Sequence, residues 1–110
     1  MIRASLSANS AQASMLVSPT TTKGMAFQRR TANGGSSTST AGGAFTAPYW
    51  VRLQRVGNSV TASRSPDNVT WTTVGTDTIA LGATVYVGIP VSSHRDGTLA
   101  TAVVDNVTVQ

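Results

Sequence analysis

Apolar and polar residues alternate along several short segments of this chain, as they do in β-strands that are buried on one side. No segment shows the three-to-four-residue apolar spacing of an amphipathic helix. Strands are predicted at residues 1–4, 12–18, 25–31, 49–56, 59–65, 69–74, 84–93 and 99–109. This pattern predicts an all-β fold, an antiparallel β-sandwich in a single domain that spans residues 1–110.

The Gly57-Asn58 pair predicts a tight β-hairpin between the two strands that flank it. Glycine and asparagine tolerate the positive φ that two-residue hairpin turns need. Pairing Val56 with Ser59 fixes the register of the two strands and decides which side chains share a face. The side chains predicted to point into the core are Phe27, Leu53, Val60, Val87 and Ile89.

Three segments interrupt the alternation. Residues 32–43 are mostly Gly, Ser, Thr and Ala and are predicted to form a flexible surface loop. Pro90 lacks an N–H for the strand ladder, so strand 84–93 is predicted to be an edge strand or to be bulged there. The apolar phase slips by one residue near Asp105-Asn106, which predicts a β-bulge in the last strand.

The sequence Ser65-Pro66-Asp67-Asn68 predicts a second turn, ahead of Trp71. It is similar to the aspartate box of sialidase-like propellers, but it is one residue short, lacks the glycine and occurs once. We therefore interpret it as a hairpin turn in which Asp67 binds the local backbone and Trp71 packs against its neighbours.

The chain is basic, with eight Lys and Arg residues against four Asp, no Glu and a net charge of +4. Only Arg29 and Arg30 are adjacent, so we interpret the charge as a solvated surface and not as a nucleic-acid site. The chain has no cysteine and no apolar run that predicts membrane insertion. A composition rich in Ser and Thr and poor in Lys favours an extracellular bacterial protein, secreted or on the cell surface.

Catalytic chemistry has few candidates. A glycoside hydrolase needs two carboxyl groups beside the scissile bond, and the carboxylates here lie in predicted turns or a bulge: Asp67, Asp77, Asp96 and Asp105. His94 and Asp96 lack the clustered partners of a metal site or a catalytic base. We therefore predict a non-enzymatic protein without a cofactor. Calcium bound through Asp96, Asp105 or nearby carbonyls is the alternative left open.

A set of short stretches is spread along most of the chain. They are Trp50 to Asn58, Thr61-Ala62, Ser65-Pro66-Asp67 with Trp71, Val85-Tyr86-Val87-Gly88, Ser92-Ser93-His94, Leu99-Ala100-Thr101-Ala102 and Asp105-Asn106-Val107. Together they resemble bacterial extracellular concanavalin A-like modules related to laminin-G-like domains, many of uncharacterised function. The resemblance implies a concanavalin A-like jelly roll, and an immunoglobulin-like sandwich is the alternative fold.

Met1-Ile2-Arg3 also matches this family, in which the Met-Ile-Arg strand lies well inside the domain. The resemblance therefore implies a domain fragment that lacks its N-terminal strands. The chain departs from the family pattern at Pro90, where a small residue is usual, and at Asn68, where the turn usually has glycine.

The resemblance favours a non-catalytic carbohydrate-binding or accessory module, attached to a larger protein such as a polysaccharide-degrading enzyme. The expected partners are a polysaccharide or glycan and other domains of the same polypeptide. Sugar rings stack on aromatic side chains, and their hydroxyls pair with planar groups such as Arg and Gln. The candidate ligand-binding residues, on the polar sheet face or its rim, are Trp50, Arg52, Gln54, Gln28, Arg30, Tyr86 and His94.

Two other functions stay open. One is a structural or adhesive β-sandwich spacer without a small ligand, and the other is a fragment of a concanavalin A-like glycosidase whose catalytic carboxylates lie upstream. For Trp50, burial beneath a neighbouring loop is the alternative to sugar binding.

Overall fold

The computed structural model describes residues 1–110 and contains β-strands but no helix, which confirms the all-β prediction. No element of the chain is therefore a helix long and apolar enough to cross a membrane. The strands are β1 (Ile2–Arg3), β2 (Gln12–Val17), β3 (Met25–Arg30), β4 (Thr38–Gly43), β5 (Trp50–Val56), β6 (Ser59–Ser65), β7 (Thr72–Thr78) and β8 (Tyr86–Val87).

The strands form two antiparallel sheets. The five-stranded sheet has the order β4-β3-β2-β1-β8, and the three-stranded sheet is a meander with the order β5-β6-β7. The chain passes from the first sheet to the second through residues 44–49, and β8 returns to the first sheet beside β1. The sheets pack against each other, chiefly through β2 against β5 and β6 and through β3 and β4 against β7. The arrangement is compatible with a β-sandwich.

The predicted hairpin register is confirmed. Val56 of β5 pairs with Ser59 of β6, and the pairing continues to the far end of both strands. Gly57 adopts a φ of +60° in the turn between them, a conformation that glycine adopts without a steric cost. β2 and β3 also pair antiparallel along their whole length.

The core lies between the two sheets. Phe27 of β3 and Val60 of β6 are completely buried, as predicted, and Leu53 of β5 packs against the core while staying partly exposed. A Cβ on Gly75 of β7 would lie 3.2 Å from the Phe27 ring, so the absence of a side chain there gives the ring its room. The buried apolar residues are Ala11, Ala13, Met15, Met25, Phe27, Val60, Ala62, Ile79 and Leu81.

The prediction of a surface loop at residues 32–43 is wrong for its second part, because Thr38–Gly43 form β4. β4 pairs with β3 and is one edge of the five-stranded sheet. Gly42 is buried, and a Cβ there would lie 2.9 Å from the Cβ of Met25. A strand of small residues can thus approach the core closely, which its composition alone does not indicate.

The strand predicted at residues 69–74 is displaced, since β7 spans Thr72–Thr78 and Val69 is exposed. The reason lies in the preceding turn. The backbone N–H groups of Val69 and Thr70 donate to the carboxylate of Asp67. These amides are occupied by the turn, so the strand ladder begins only after them.

The C-terminal part differs most from the prediction. Only Tyr86–Val87 form a strand where strands were predicted at 84–93 and 99–109, and residues 88–110 contain none. Val87 and Ile89 are 53% and 54% exposed, so their predicted burial is wrong. The predicted bulge at Asp105-Asn106 is absent with its strand. A strand needs a neighbouring backbone to bond with, and no strand lies beside this segment.

Candidate functional site

The outer face of the three-stranded sheet carries many of the polar side chains that sequence analysis selected. Leu53 packs on the core and pairs with buried Ala62, so Arg52 and Gln54 on either side of it point outward. Trp50 is in phase with them. We define the outer face by Trp50, Arg52, Gln54, Thr61, Ser63, Trp71, Thr73 and Thr76.

Arg52 and Trp71 stack across this outer face. The guanidinium carbon of Arg52 lies 4.1 Å from the centre of the Trp71 ring, a distance typical of a cation–π contact. Arg52 lies on β5 and Trp71 comes immediately before β7, so the two side chains meet over β6, which lies between these strands. Ser63 of β6, which pairs with Arg52 on one side and Thr73 on the other, is accordingly only 4% exposed.

A turn built around Asp67 positions Trp71. The Asp67 Oδ1 atom accepts hydrogen bonds from the Thr70 N–H at 2.8 Å, the Val69 N–H at 2.9 Å and the Ser65 hydroxyl at 2.9 Å. These hydrogen bonds, that from Thr70 above all, hold the pKa of Asp67 below its ordinary value because they favour the charged carboxylate. This turn is the one predicted from the sequence, and it fixes the backbone just ahead of Trp71.

Gln54, Thr61 and Thr76 form a polar row beside the stack. They face one another on three adjacent strands. The hydroxyls of Thr61 and Thr76 lie 2.9 Å apart and share a hydrogen bond, and Gln54 is exposed. The row presents both donors and acceptors to solvent, as recognition of hydroxyl groups requires.

The outer face therefore combines two indole rings with planar hydrogen-bonding groups. Trp50 and Trp71 are half-buried, and Arg52 is exposed. An aromatic ring can pack against the apolar C–H groups of a sugar, while amide, guanidinium and hydroxyl groups bind its polar edge. A sheet face of this kind suits an extended ligand laid across the strands.

The candidate residues of the sequence analysis do not form one surface. Gln28 and Arg30 lie on β3, in the other sheet. The residue between them, Arg29, points toward the three-stranded sheet, where its Nε atom lies 2.9 Å from Oδ2 of Asp77. Gln28 and Arg30 consequently face away from that sheet, on the opposite side of the sandwich from Trp50. The expectation that they lie near Trp50 is wrong.

Tyr86 belongs to this second surface. It pairs with Arg3, which pairs with Gln12, which pairs with Arg30, so these four side chains form one row across the five-stranded sheet. Arg3 and Arg30 both donate hydrogen bonds to backbone carbonyls of the loop between β1 and β2. Both guanidiniums thus brace the loop.

His94 is an exposed residue of the strandless C-terminal segment. It has a φ of +57°, and its backbone N–H donates to the Ser92 hydroxyl at 3.2 Å. No hydrogen bond joins its imidazole to the other candidate residues. The structure therefore places His94 on neither sheet surface.

The aspartates are engaged in separate local contacts. Asp67 organises its turn and Asp77 binds Arg29, while Asp96 and Asp105 each accept a hydrogen bond from the residue that follows. No group of three or more His, Cys, Asp or Glu side chains could hold a metal ion.

Sequence reasoning overlooked Trp71, Thr61 and Thr76 as parts of the candidate site. Thr61 was in phase with Trp50 in the predicted hairpin, which is a usable signal. The sequence signal for Trp71 is weaker, because the face on which this side chain lies depends on where the Asp67 turn ends and β7 begins.

No protein-family model matches this chain, and no curated protein or solved structure matches it. Its function is therefore argued from the outer face itself.

Proposed function

We propose that the protein is a non-catalytic carbohydrate-binding module that binds a glycan chain across the outer face. The observation that supports this proposal most is the stack of Arg52 on Trp71, which places a guanidinium over an indole on the outer face. The stack fixes both groups before any ligand arrives, which lowers the entropy cost of binding.

The composition of the rest of the outer face supports the same function. Gln54, Thr61 and Thr76 supply neutral hydrogen-bonding groups along one row, and Trp50 supplies a second ring on β5. Neutral polar groups next to aromatic rings suit the mixed character of a pyranose, which has an apolar face and a polar edge.

We further propose a concanavalin A-like jelly roll and a location outside the cell, as part of a secreted or surface bacterial protein. The sequence resemblance and the Ser- and Thr-rich composition support this. The return of β8 to the first sheet beside β1, after the chain has passed through the second sheet, supports a sandwich with non-local connections.

An adhesive spacer is the second candidate function, because apolar side chains are exposed in the C-terminal segment. Ile89, Val91, Leu99 and Val103 are all exposed there. Exposed apolar residues of this density mark surfaces that contact other chains. On this view the outer face would bind no sugar.

Intrinsic fluorescence tests the proposal directly, because both tryptophans of the chain, Trp50 and Trp71, lie on the outer face. Titration with a panel of neutral and acidic oligosaccharides is expected to change the emission for at least one ligand. Calorimetry then gives its affinity for wild type and for Trp50→Ala and Trp71→Ala, with Tyr86→Ala on the opposite surface as the matched control.

Loss of an aromatic platform is expected to weaken binding about tenfold or more, about 1.4 kcal/mol, in at least Trp71→Ala. Tyr86→Ala should bind like wild type. Circular dichroism and urea unfolding must show that each variant is folded. If both tryptophan variants bind with the affinity of wild type, the proposed site is wrong. The absence of binding to every oligosaccharide favours the spacer.

A further inference from the structure

We propose that the glycan is acidic, and that Arg52 binds its carboxylate or sulfate groups. This inference rests on the proposed function, since it names the class of ligand for the same outer face. Two observations support it: the Arg52 guanidinium has no hydrogen-bond acceptor in the chain, and no carboxylate is paired with it.

The Arg52 guanidinium is held in place but keeps its hydrogen-bonding capacity. Its one defined contact is with the Trp71 ring, whose centre lies 4.1 Å from the guanidinium carbon. A stack uses the π-face of the guanidinium, whereas its five N–H donors lie in the plane and point sideways. No group of the chain accepts a hydrogen bond from them, so the fork that matches a carboxylate is free.

Most other arginines differ in this respect. Arg29 binds Asp77, and Arg64 donates to the Tyr49 hydroxyl. Arg3, Arg30 and Arg55 donate to backbone carbonyls. These guanidiniums hold the structure together. Arg95 also lacks a side-chain partner, but it lies in the exposed C-terminal segment and stacks on no ring.

No carboxylate forms an ion pair with Arg52. The chain contains no Glu, and its one ion pair joins Arg29 to Asp77 between the sheets. Asp67 is charged, but its Oδ1 atom accepts three hydrogen bonds inside its own turn, and it makes no ion pair with Arg52. An anionic group that approaches the face therefore meets a guanidinium without an ion-pair partner, with indole rings beside it to receive a sugar ring.

A saccharide fits this face better than a polynucleotide does. Nucleic-acid affinity comes mainly from several cations spaced along the phosphate backbone. The outer face offers a single guanidinium among neutral Gln, Ser and Thr side chains. That composition matches a ligand with one charge per ring and many hydroxyls.

The experiment compares oligogalacturonate with its methyl-esterified form, which keeps the rings and removes the charge. A sulfated galactan oligomer distinguishes sulfate from carboxylate, and a single-stranded thymidine oligomer serves as a polyanion without pyranose rings. Binding is measured by tryptophan fluorescence and calorimetry at low and high salt. The variants are Arg52→Gln, Arg52→Lys and the control Arg95→Gln, which removes the same charge elsewhere.

Wild type is expected to bind one of the acidic oligomers about tenfold more tightly than the ester, with the preference reduced by salt. Arg52→Gln should lose more affinity for the acidic oligomer than for the ester, so that the preference disappears. Arg52→Lys should retain only part of it, because an ammonium lacks the planar fork. Arg95→Gln should behave like wild type.

The outcomes separate this inference from the proposed function. Equal binding of acidic and neutral oligosaccharides overturns the acidic class while carbohydrate binding stands. A preference that Arg95→Gln reduces as much as Arg52→Gln overturns the role of Arg52. Equally tight, Arg52-dependent binding of the thymidine oligomer overturns the assignment to a saccharide. Failure to bind any saccharide overturns the proposed function itself.

Discussion

Arg29 and Asp77 form an ion pair that joins the two sheets of the sandwich, with the Nε atom of Arg29 2.9 Å from Oδ2 of Asp77. The Arg29 side chain is 13% exposed, and the Asp77 side chain is 33% exposed. The same guanidinium donates to the Thr40 hydroxyl and lies over the Phe27 ring, 4.9 Å from its centre. One arginine thus ties β3, β4, β7 and the core together.

Asp77→Ala is expected to destabilise the fold by about 1–2 kcal/mol. Removing one partner of a buried pair leaves the other charge uncompensated, but the partial exposure of Asp77 reduces the cost below that of a fully buried pair. Urea unfolding measures the change. Asp96→Ala, in the exposed C-terminal segment, is the control and should lie within about 0.5 kcal/mol of wild type. Equal stability of the two variants would argue against a structural role for the pair.

Acid should weaken the fold through Asp77 and Asp67. The hydrogen bond from Arg29 is the main reason that the pKa of Asp77 lies below its ordinary value of 3.8, and hydrogen bonds in the turn lower that of Asp67. The unfolded chain therefore binds protons first as the pH falls. This contribution to stability is complete well above pH 3.8 and is lost as the pH falls below it, through the pKa of the folded state.

The urea midpoint followed from pH 7 to pH 2 checks this effect. The double variant Asp67→Asn, Asp77→Asn should have a lower midpoint at neutral pH and a flatter acid dependence, because neither substituted side chain titrates. An acid dependence as steep as that of wild type would assign the effect to other groups.

Phe27 and Leu53 should differ in their contributions to stability. Phe27 is completely buried between the sheets, so Phe27→Ala is expected to cost about 3–5 kcal/mol. Leu53 is partly exposed, so Leu53→Ala should cost about 1–2 kcal/mol, less than a fully buried leucine does. Denaturant unfolding of both variants tests the ranking, and a larger loss for Leu53→Ala would show that the core is centred elsewhere.

Gly75→Ala tests the close approach of β7 to the Phe27 ring. The new Cβ would lie 3.2 Å from the Phe27 ring, and crowding of this kind costs about 1–3 kcal/mol. In a Phe27→Leu background the smaller side chain should relieve part of the crowding. The two substitutions are therefore expected to be less than additive in the free energy of unfolding, whereas strict additivity would show that the strands do not meet at this point.

The sequence predicted features that depend on nearby residues and missed those that depend on distant ones. The Gly57 turn sets the register of β5 and β6 within a few residues, so it could be derived. The alternation placed Arg52 and Arg30 each on a polar strand face, but alternation does not say which sheet a strand joins. Their separation arises because the chain changes sheets between β4 and β5.

Residues 88–110 are a second case in which the structure depends on residues distant in the sequence. Their alternating valines are typical of strands, yet a strand forms only where another backbone supplies its hydrogen bonds. The chain has an accessible surface of 7314 Å². A compact monomer of its mass, 11.3 kDa, would expose about 5,700 Å². The exposed C-terminal segment is consistent with this excess.

Amide hydrogen exchange should divide the protein into two parts. Residues 99–110 make no backbone hydrogen bond, and Leu99 and Val103 are 99% and 93% exposed. Their amides are expected to exchange at nearly the rate of an unstructured chain, whereas those of β3 and β6, which have a paired strand on both sides, are expected to be protected. Brief trypsin treatment should likewise cleave after Arg95 before it cleaves after Arg29 of β3. Val103→Lys should change the free energy of unfolding by less than about 0.5 kcal/mol, because no packing is lost.

Protection of the amides of residues 99–109 from hydrogen exchange would contradict the absence of a strand there and would show that the segment pairs with a strand. If that protection then rose with protein concentration, the strand would belong to a second copy of the chain.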